Sequence, residues 1–107
     1  PVCGSGGQLQ GMVTDRDIVL RCVAAEEDPR SVPVRSIMSR RPAVVTPEDD
    51  VRQAARLMSS QQVRRLPVVD KDRVVGGVSL GDLAKCGRYE MEISRALTDI
   101  SENIRQP

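Results

Sequence analysis

The chain has 107 residues, of which 39% are hydrophobic and 29% charged, and its formal net charge is +1. This length suffices for a core, and charges that nearly cancel exclude the long-range field that draws proteins to nucleic acids or membrane surfaces. Histidine is absent and Tyr89 is the one aromatic residue, which excludes imidazole catalysis, histidine metal sites and an aromatic platform for single-stranded nucleic acid.

The first part of the chain predicts a hairpin followed by a helix. Strands over Pro1–Cys3 and Leu9–Val13 flank a glycine-rich turn. Thr14 then supplies an N-cap hydroxyl and Asp17 the acid at the N3 position, which together predict a capping box. The predicted apolar stripe of this helix is Ile18, Cys22 and Ala25. The helix ends in the acidic stretch 26–29, and a polar connector follows.

The middle of the chain predicts a short turn at Ile37–Met38, a strand over Ala43–Val45 and a second helix. Thr46 as N-cap and Pro47 at the first helical position mark the start of that helix. Its predicted buried face, at spacings of i, i+3, i+4 and i+7, is Val51, Ala54, Ala55 and Met58. We expect the helix to end at residues 59–61.

Two strands, over Leu66–Val69 and Val74–Val78, predict a second hairpin, and a short helix follows over Leu80–Lys85. Gly87 is a candidate helix stop, and residues 88–107 form a tail. The tail has an apolar seam at spacings of 4, 3 and 4, which consists of Ile93, Leu97, Ile100 and Ile104. For this tail, we favour a terminal helix that covers its own domain's core over a helix that binds a partner.

One phrase occurs twice: residues 9–18 return as residues 74–83, a constant 65 positions later. Both copies contain an apolar strand with glycine, a hydroxyl, a carboxylate three residues on and an apolar helical run. The paired hydroxyls are Thr14 and Ser79, and the paired acids are Asp17 and Asp82. Such a repeat indicates a duplicated supersecondary unit. The second copy is a full β-α-β-β-α unit over residues 43–86, whereas the first supplies its final β-β-α, so we expect the sequence to be a fragment.

Two interpretations of these junctions stay open. A hydroxyl three residues before an acid closes a capping box at a helix start. The pairs that fit are Thr14/Asp17, Thr46/Asp49 and Ser79/Asp82. The same arrangement suits a nucleotide, because a helix N-terminus favours phosphate and a carboxylate accepts two hydrogen bonds from a ribose diol. Arg64 and Arg65 are candidate phosphate ligands or, equally, solvated surface charges.

Several segments together resemble the cystathionine-β-synthase (CBS) domain. They are 11–18, 34–38, 42–47, 54–58, 64–70 and 75–83. The resemblance implies an α/β (α+β) fold of tandem CBS-domain βαββα repeats packed around a pseudo-two-fold axis. On this basis we expect residues 1–28 to end a first repeat, 29–36 to be a linker, 37–86 to be the second repeat and 87–107 a C-terminal helical tail.

The resemblance also implies a ligand. Paired CBS repeats bind AMP, ADP, ATP, S-adenosylmethionine or related adenosyl ligands in clefts between the repeats, and they regulate an attached module. Asp17 would hold the ribose, Thr14 the ribose or phosphate, residues 44–46 the adenine, and nearby arginines the phosphate. The candidate ligand-binding residues are Thr14, Arg16, Asp17, Val44, Val45, Thr46, Arg64, Arg65, Pro67, Ser79 and Asp82.

We therefore expect a ligand-sensing regulatory module that needs no obligatory cofactor or metal and forms a homodimer through its CBS repeats. The alternative is a structural pair that serves dimerisation and has empty clefts. An enzyme is not expected, since no nucleophile–base pair or metal site can be assembled without histidine. Nucleic-acid binding is not expected because the basic residues alternate with acids.

We interpret Cys3, Cys22 and Cys86 as reduced thiols of a cytoplasmic protein, and no apolar run suits a membrane span.

Overall fold

The structure, a computed structural model, describes the backbone of residues 1–85 and 90–105 and the side chains of residues 1–85 and 94–101. The chain forms two compact units. Unit 1 contains Pro1–Pro42 and Lys71–Val74, and unit 2 contains Ala43–Asp70 and the described residues from Val75 onward. Both units combine antiparallel strands with helical segments, which confirms the predicted mixed α/β (α+β) class.

Unit 1 contains a three-stranded antiparallel sheet in the order β1-β2-β3. The strands are β1 (Val2–Cys3), β2 (Leu9–Met12) and β3 (Ser39–Arg40). The first two form the predicted hairpin. β3 was not predicted, because two polar residues carry no alternating pattern. It pairs with β2 so that Gly11 lies opposite Arg40 and Met12 opposite Ser39.

The helix after Thr14 differs from the prediction. α1 covers Asp15–Ile18, and a π-helical segment over Val19–Val23 continues it. A π-helix bonds each amide to the carbonyl five residues back, so its side chains no longer repeat every 3.6 residues. The predicted stripe is therefore broken: Cys22 is buried, but Ile18 and Ala25 are exposed. The predicted buried face was wrong at these two positions.

The segment before β3 closes the core of unit 1. A short 3₁₀ turn over Val34–Ser36 leads into Ile37 and Met38, and both of these side chains are buried. Arg21 in the π-helical segment donates from Nη1 to the carbonyl oxygen of Ile37 at 2.8 Å. The turn predicted at these two residues is therefore part of the core, tied by a hydrogen bond to the helical segment.

In unit 2, α2 spans Val51–Gln61 and begins four residues later than predicted. Asp50 is its N-cap, and its Oδ1 accepts from the backbone N–H of Arg52 at 2.8 Å. The Gln53 side chain accepts from the Asp50 backbone N–H at 3.1 Å, which completes a capping box. The predicted buried face is confirmed at Ala54, Ala55 and Met58, which are buried, and Val51 is half-buried against the same core.

The predicted helix start at Thr46 and Pro47 was wrong, and so was the capping box assigned there. The Asp49 carboxylate does accept from the Thr46 backbone N–H, at 2.8 Å, but residues 47–49 form a turn outside the helix. Proline is favoured both at the first position of a helix and in a turn, because its fixed φ suits both. Pro47 therefore could not show which of the two conformations this segment adopts. Asp50, one residue later, competes as N-cap and prevails.

The second hairpin and the helix after it agree with the prediction to within about one residue at each end. β4 spans Arg65–Asp70, β5 spans Arg73–Ser79 and α3 spans Leu80–Ala84. The predicted strand at Ala43–Val45 is reduced to a single parallel bridge between Val45 and Val68. Two hydrogen bonds, from Val45 N to Pro67 O (3.1 Å) and from Val69 N to Val45 O (2.8 Å), hold it to β4.

The core of unit 2 lies between α2, the sheet and the C-terminal helix α4, which spans Glu90–Arg105. Its buried side chains are Val45, Ala54, Ala55, Met58, Leu66, Leu80, Leu83, Ala96 and Ile100. Among the side chains of α4 that the structure describes, Ala96 and Ile100 lie in the core, whereas Leu97 is 45% exposed. The predicted seam was wrong at Leu97, and the side chains of Ile93 and Ile104 lie outside the described residues. The burial of Ala96 and Ile100 in the core of unit 2 agrees with the interpretation that we favoured, a terminal helix that covers its own domain's core.

Candidate functional site

The first junction, at the end of β2, is built by Thr14 and Asp17. The Thr14 hydroxyl accepts from the Asp17 backbone N–H at 3.2 Å, and Asp17 Oδ2 accepts from the Thr14 backbone N–H at 2.9 Å. The other carboxylate oxygen of Asp17 lies 3.7 Å from Nη1 of Arg21. Since Arg21 is also bonded to a backbone carbonyl, the Asp17 side chain is held on both oxygens.

Arg21 is an orienting residue that we did not single out from the sequence. The signal was available: an acid and an arginine at i and i+4 face each other on a helix. The Asp17 side chain is 14% exposed in this pair, so the contact is more shielded than an ordinary surface ion pair. Arg16, the predicted phosphate ligand one residue before Asp17, is exposed.

The second junction, at the end of β5, repeats the first. The Ser79 hydroxyl accepts from the Asp82 backbone N–H at 3.1 Å, and Asp82 Oδ2 accepts from the Ser79 backbone N–H at 3.0 Å. Hydrogen bonding from the Ser79 backbone, then from its side chain, lowers the pKa of Asp82, and the charges of Lys85 and Arg65 act in the same direction. Both junctions therefore form the capping boxes that the sequence predicted.

The lowered pKa of Asp82 predicts an acid-sensitive junction. Its stabilisation is present above the unfolded pKa of about 3.9 and is lost as the pH falls through the lower folded pKa. Asp82→Asn keeps a side-chain acceptor but removes the charge. We therefore expect wild type to melt at a higher temperature than the variant at pH 7, with the difference shrinking towards pH 2. Thermal melts across that range measure it, and a difference that does not change with pH contradicts the prediction.

Two further candidate residues of unit 2, Arg64 and Arg65, lie at the start of β4. Arg64 precedes it, and its carbonyl oxygen accepts from the Leu80 backbone N–H at 2.8 Å. The fold thus brings the start of β4 beside the end of β5. Arg65 consequently lies close enough to Asp82 for its charge to lower the pKa of that carboxyl. The side chains of both arginines are exposed, as a phosphate ligand requires.

The segment predicted to meet adenine lies beside β4. Val45 is buried in the core, Val44 is 40% exposed and Thr46 is exposed. Pro67, to whose carbonyl Val45 is bonded, has a fully buried side chain, so its ring forms part of the core. Val44 and Val45 line a shallow groove of about 410 Å³ against one flank of α2. The polar residues of that flank, Gln53, Arg56 and Ser60, were not among the predicted site residues.

The candidate residues therefore fall into two groups. Thr14, Arg16 and Asp17 belong to unit 1, and the other eight belong to unit 2. Within unit 2, the structure brings Ser79 and Asp82 together with Arg65, and Val45 together with Pro67. That the two groups face a common ligand remains a prediction.

Comparison with known proteins decides the family. The model of the CBS domain matches residues 34–88. The CBS domain-containing protein YhcV of Bacillus subtilis (strain 168) is 43% identical over 99 residues, which are 92% of this chain and 70% of YhcV. The chain belongs to the CBS domain family. This confirms the resemblance drawn from the repeated phrase and its flanking segments.

Solved structures of CBS proteins have the same fold. The CBS domain protein TA0289 from Thermoplasma acidophilum matches with a TM-score of 0.74 and 30% identity, over 89% of this chain and 53% of that one. The CBS domain pair of protein MJ0100, in complex with 5′-methylthioadenosine and S-adenosyl-L-methionine, matches with a TM-score of 0.69 and 27% identity. That match covers 84% of this chain and 69% of the MJ0100 chain. The chain thus corresponds to part of each of these CBS proteins.

Neither a metal site nor a membrane-spanning helix is present among the described residues. Among the described residues, no three or more acidic, cysteine or histidine side chains cluster in a way that could hold a metal ion. No helix in the described ranges has the length and apolar character needed to cross a bilayer. Cys3 is exposed and Cys22 buried, both with free thiols, and Cys86 lies outside the described residues.

Proposed function

We propose that this chain is a ligand-sensing regulatory module that binds an adenine nucleotide or a related adenosyl ligand between its two CBS repeats and catalyses no reaction. The observation that carries the proposal is the pair of equivalent strand-to-helix junctions, Thr14/Asp17 and Ser79/Asp82. CBS domains are regulatory modules, and the MJ0100 pair binds two adenosyl compounds. The same fold with both acids present supports the same class of ligand here.

The chemistry of each group fits that ligand. A carboxylate accepts two hydrogen bonds at once, which suits the two hydroxyls of a ribose. Asp17 is held in place by Thr14 and Arg21, so it can meet a ribose with little loss of side-chain freedom. Thr14 would donate its hydroxyl proton to ribose or phosphate, because that hydroxyl serves the cap only as an acceptor. Thr14 and Asp17 would thus form the ribose end of the cleft.

The remaining groups would hold the other parts of the ligand. Val44, Val45 and Thr46 would flank the adenine with apolar and backbone contacts. Arg16, Arg64 and Arg65 are all exposed and would meet a phosphate or a carboxylate. Ser79 and Asp82, with the neighbouring Arg65, would form the equivalent ribose end of a second cleft.

A structural role is the second candidate, and the capping boxes favour it. Each acid stabilises a helix start without any ligand, so a module that serves only dimerisation could retain both acids for folding. A homodimer is part of both proposals. The experiment must therefore distinguish the stability that is lost with a capping acid from the loss of ligand binding.

The test is a thermal-shift panel of AMP, ADP, ATP, S-adenosylmethionine and NAD. A ligand at about 100 times its Kd stabilises the native state by about 2.7 kcal/mol, which for a chain of this size raises the melting temperature by roughly 10 °C. We expect at least one adenosyl compound to produce such a shift, and Asp17→Ala to abolish it. If no compound of the panel stabilises the chain, the structural candidate is the better one.

Asp50→Ala is the matched control. It removes a carboxylate from the capping box of another helix, in which Asp50 is the N-cap whereas Asp17 is the N3 residue of its own box, and it lies outside the candidate site. Both variants should lower the melting temperature of the free protein, since each removes a side-chain hydrogen bond of a capping box. Only Asp17→Ala should also lose the ligand-induced shift. Equal shifts in both variants would show that Asp17 acts as a cap and not as a ligand-binding residue.

A further inference from the structure

Asp17, the acid of the first junction, has a neighbour that the sequence of the second junction does not repeat. Nη1 of Arg21, four residues further along the chain, lies 3.7 Å from Oδ1 of Asp17. The constant spacing of 65 residues places Cys86 at the position equivalent to Arg21. The capping box at Asp82 is closed without an arginine at that position. Arg21 is therefore not part of the repeated cap.

The guanidinium of Arg21 is fixed by a second contact, not by Asp17 alone. Its Nη1 donates to the carbonyl oxygen of Ile37, a buried residue, at 2.8 Å. The separation of 3.7 Å between Nη1 and Oδ1 of Asp17 is too long for a hydrogen bond. The arginine thus places positive charge beside the carboxylate without occupying its lone pairs. Oδ1 can accept from a ligand hydroxyl, while Oδ2 serves the capping box.

The charge of Arg21 matters because a ribose-binding carboxylate also repels phosphate. The ribose hydroxyls and the phosphate of a nucleotide belong to the same sugar, so the carboxylate lies within about 10 Å of the phosphate, a Debye length at 0.1 M salt. α1 carries two acids, Asp15 and Asp17, and one base, Arg16. These charges sum to a net negative charge beside the predicted phosphate position. The charge of Arg21 brings the sum to zero.

We propose that Arg21 is a specificity-determining residue that allows the cleft at Asp17 to accept an anionic nucleotide. It offsets the charge of the carboxylate without competing for the hydrogen bonds that the ribose needs. The inference rests on the proposed nucleotide function and deepens it, because it names phosphorylated adenosyl compounds as the class of ligand. Arginine suits this role, since its guanidinium remains charged at every working pH and is held by its planar donors.

The test is isothermal titration calorimetry of the full 107-residue chain at low salt and without divalent cations. The ligands are adenosine, AMP, ADP, ATP and S-adenosylmethionine. Arg21→Met should weaken binding by up to about twofold for each unit of negative charge on the ligand. The loss should therefore grow from AMP to ATP and be absent for adenosine. S-adenosylmethionine, whose net charge is positive, should bind as tightly as before or more tightly. Added salt should reduce the graded loss.

Three further variants separate charge from structure. Arg21→Lys keeps the charge but not the planar guanidinium, so it should keep the wild-type preference among ligands even if the melting temperature falls. Arg21→Gln keeps N–H donors but not the charge, so it should show the same graded loss if Arg21→Met does not fold. Arg30→Met removes an equal charge outside the candidate site, where Arg30 pairs with Asp28 at 3.3 Å. It should leave the preference among ligands unchanged.

The outcomes distinguish this inference from the proposed function. If the chain binds adenosyl compounds but removal of the Arg21 charge leaves the ratio of ATP to adenosine affinity unchanged, the inference is overturned and the function stands. Arg21 then serves only to tie its helical segment to Ile37. Binding of adenosine or S-adenosylmethionine without binding of any phosphorylated compound also overturns the inference alone. If wild type binds none of the five compounds, the proposed function and the inference both fail.

Discussion

Replacing Gly11 by alanine should destabilise the sheet of unit 1 by about 1–3 kcal/mol, the usual cost of forcing extra atoms into a packed site. The new Cβ would lie 2.6 Å from the carbonyl oxygen of Ser39, and a backbone atom cannot rotate away as a side chain end can. β3 would have to separate from β2. Chemical denaturation should report the loss, and amide exchange should become faster at residues 9–12 and 39–40.

Gly76→Ala is the control for this substitution, because it makes the same chemical change at the equivalent position of the repeat. No described atom lies within 4 Å of the added methyl group. Alanine is also the better residue inside a strand, by roughly 0.5–1 kcal/mol. The variant should therefore be as stable as wild type or slightly more stable. If both substitutions destabilise the chain equally, the contact of β3 with Gly11 is not the reason for that glycine.

The repeated phrase was the part of the sequence that predicted most. It located both hairpins and both capping boxes, because each depends on residues close together in the chain. A hydroxyl and an acid three residues apart close a cap whatever surrounds them. Gly11 shows the limit of such local reasoning. Its requirement for glycine comes from β3, 28 positions later in the chain, and the phrase itself carries no trace of that strand.

The errors arose where two local patterns competed or where the helical period changed. At residues 46–50 the Thr46–Pro47 pair and Asp50 were both possible helix starts, and in the structure Asp50 is the N-cap. After Ile18 the π-helical segment changed the helical period, so Ala25 does not share the buried side of Cys22. Sequence period alone cannot anticipate a π-helix, because no residue type marks it.

The candidate site could be predicted in kind but not in detail. The acids and hydroxyls were found because their types and spacing are chemically distinctive. Arg21 was missed because an arginine on a charged helix surface is common, and its role depends on a second contact, the carbonyl oxygen of Ile37. The flank of α2 that faces Val44 was missed for a similar reason: Gln53 and Arg56 matched no ligand-binding pattern.

Met58→Ala should have the largest effect on unit 2, about 2–5 kcal/mol. Met58 on α2 is completely buried in the core cluster that also contains Ala96 and Ile100 of α4. Truncating it would leave a cavity that small neighbours such as Ala96 cannot fill, so both the apolar transfer energy and the packing contacts would be lost. Urea denaturation followed by circular dichroism measures the change in unfolding free energy.

Leu97→Ala is the matched control, and it tests the placement of α4. If the helix packed by the predicted seam of residues 93, 97, 100 and 104, Leu97 would be a core residue and its truncation would cost nearly as much as that of Met58. In the structure Leu97 is 45% exposed, so we expect a loss below about 1 kcal/mol. A large effect at Leu97 together with a small one at Met58 would contradict the observed packing. A large effect at Met58 alone agrees with a tail that stabilises its own unit through Ala96 and Ile100, which leaves Leu97 on the solvent side of the helix.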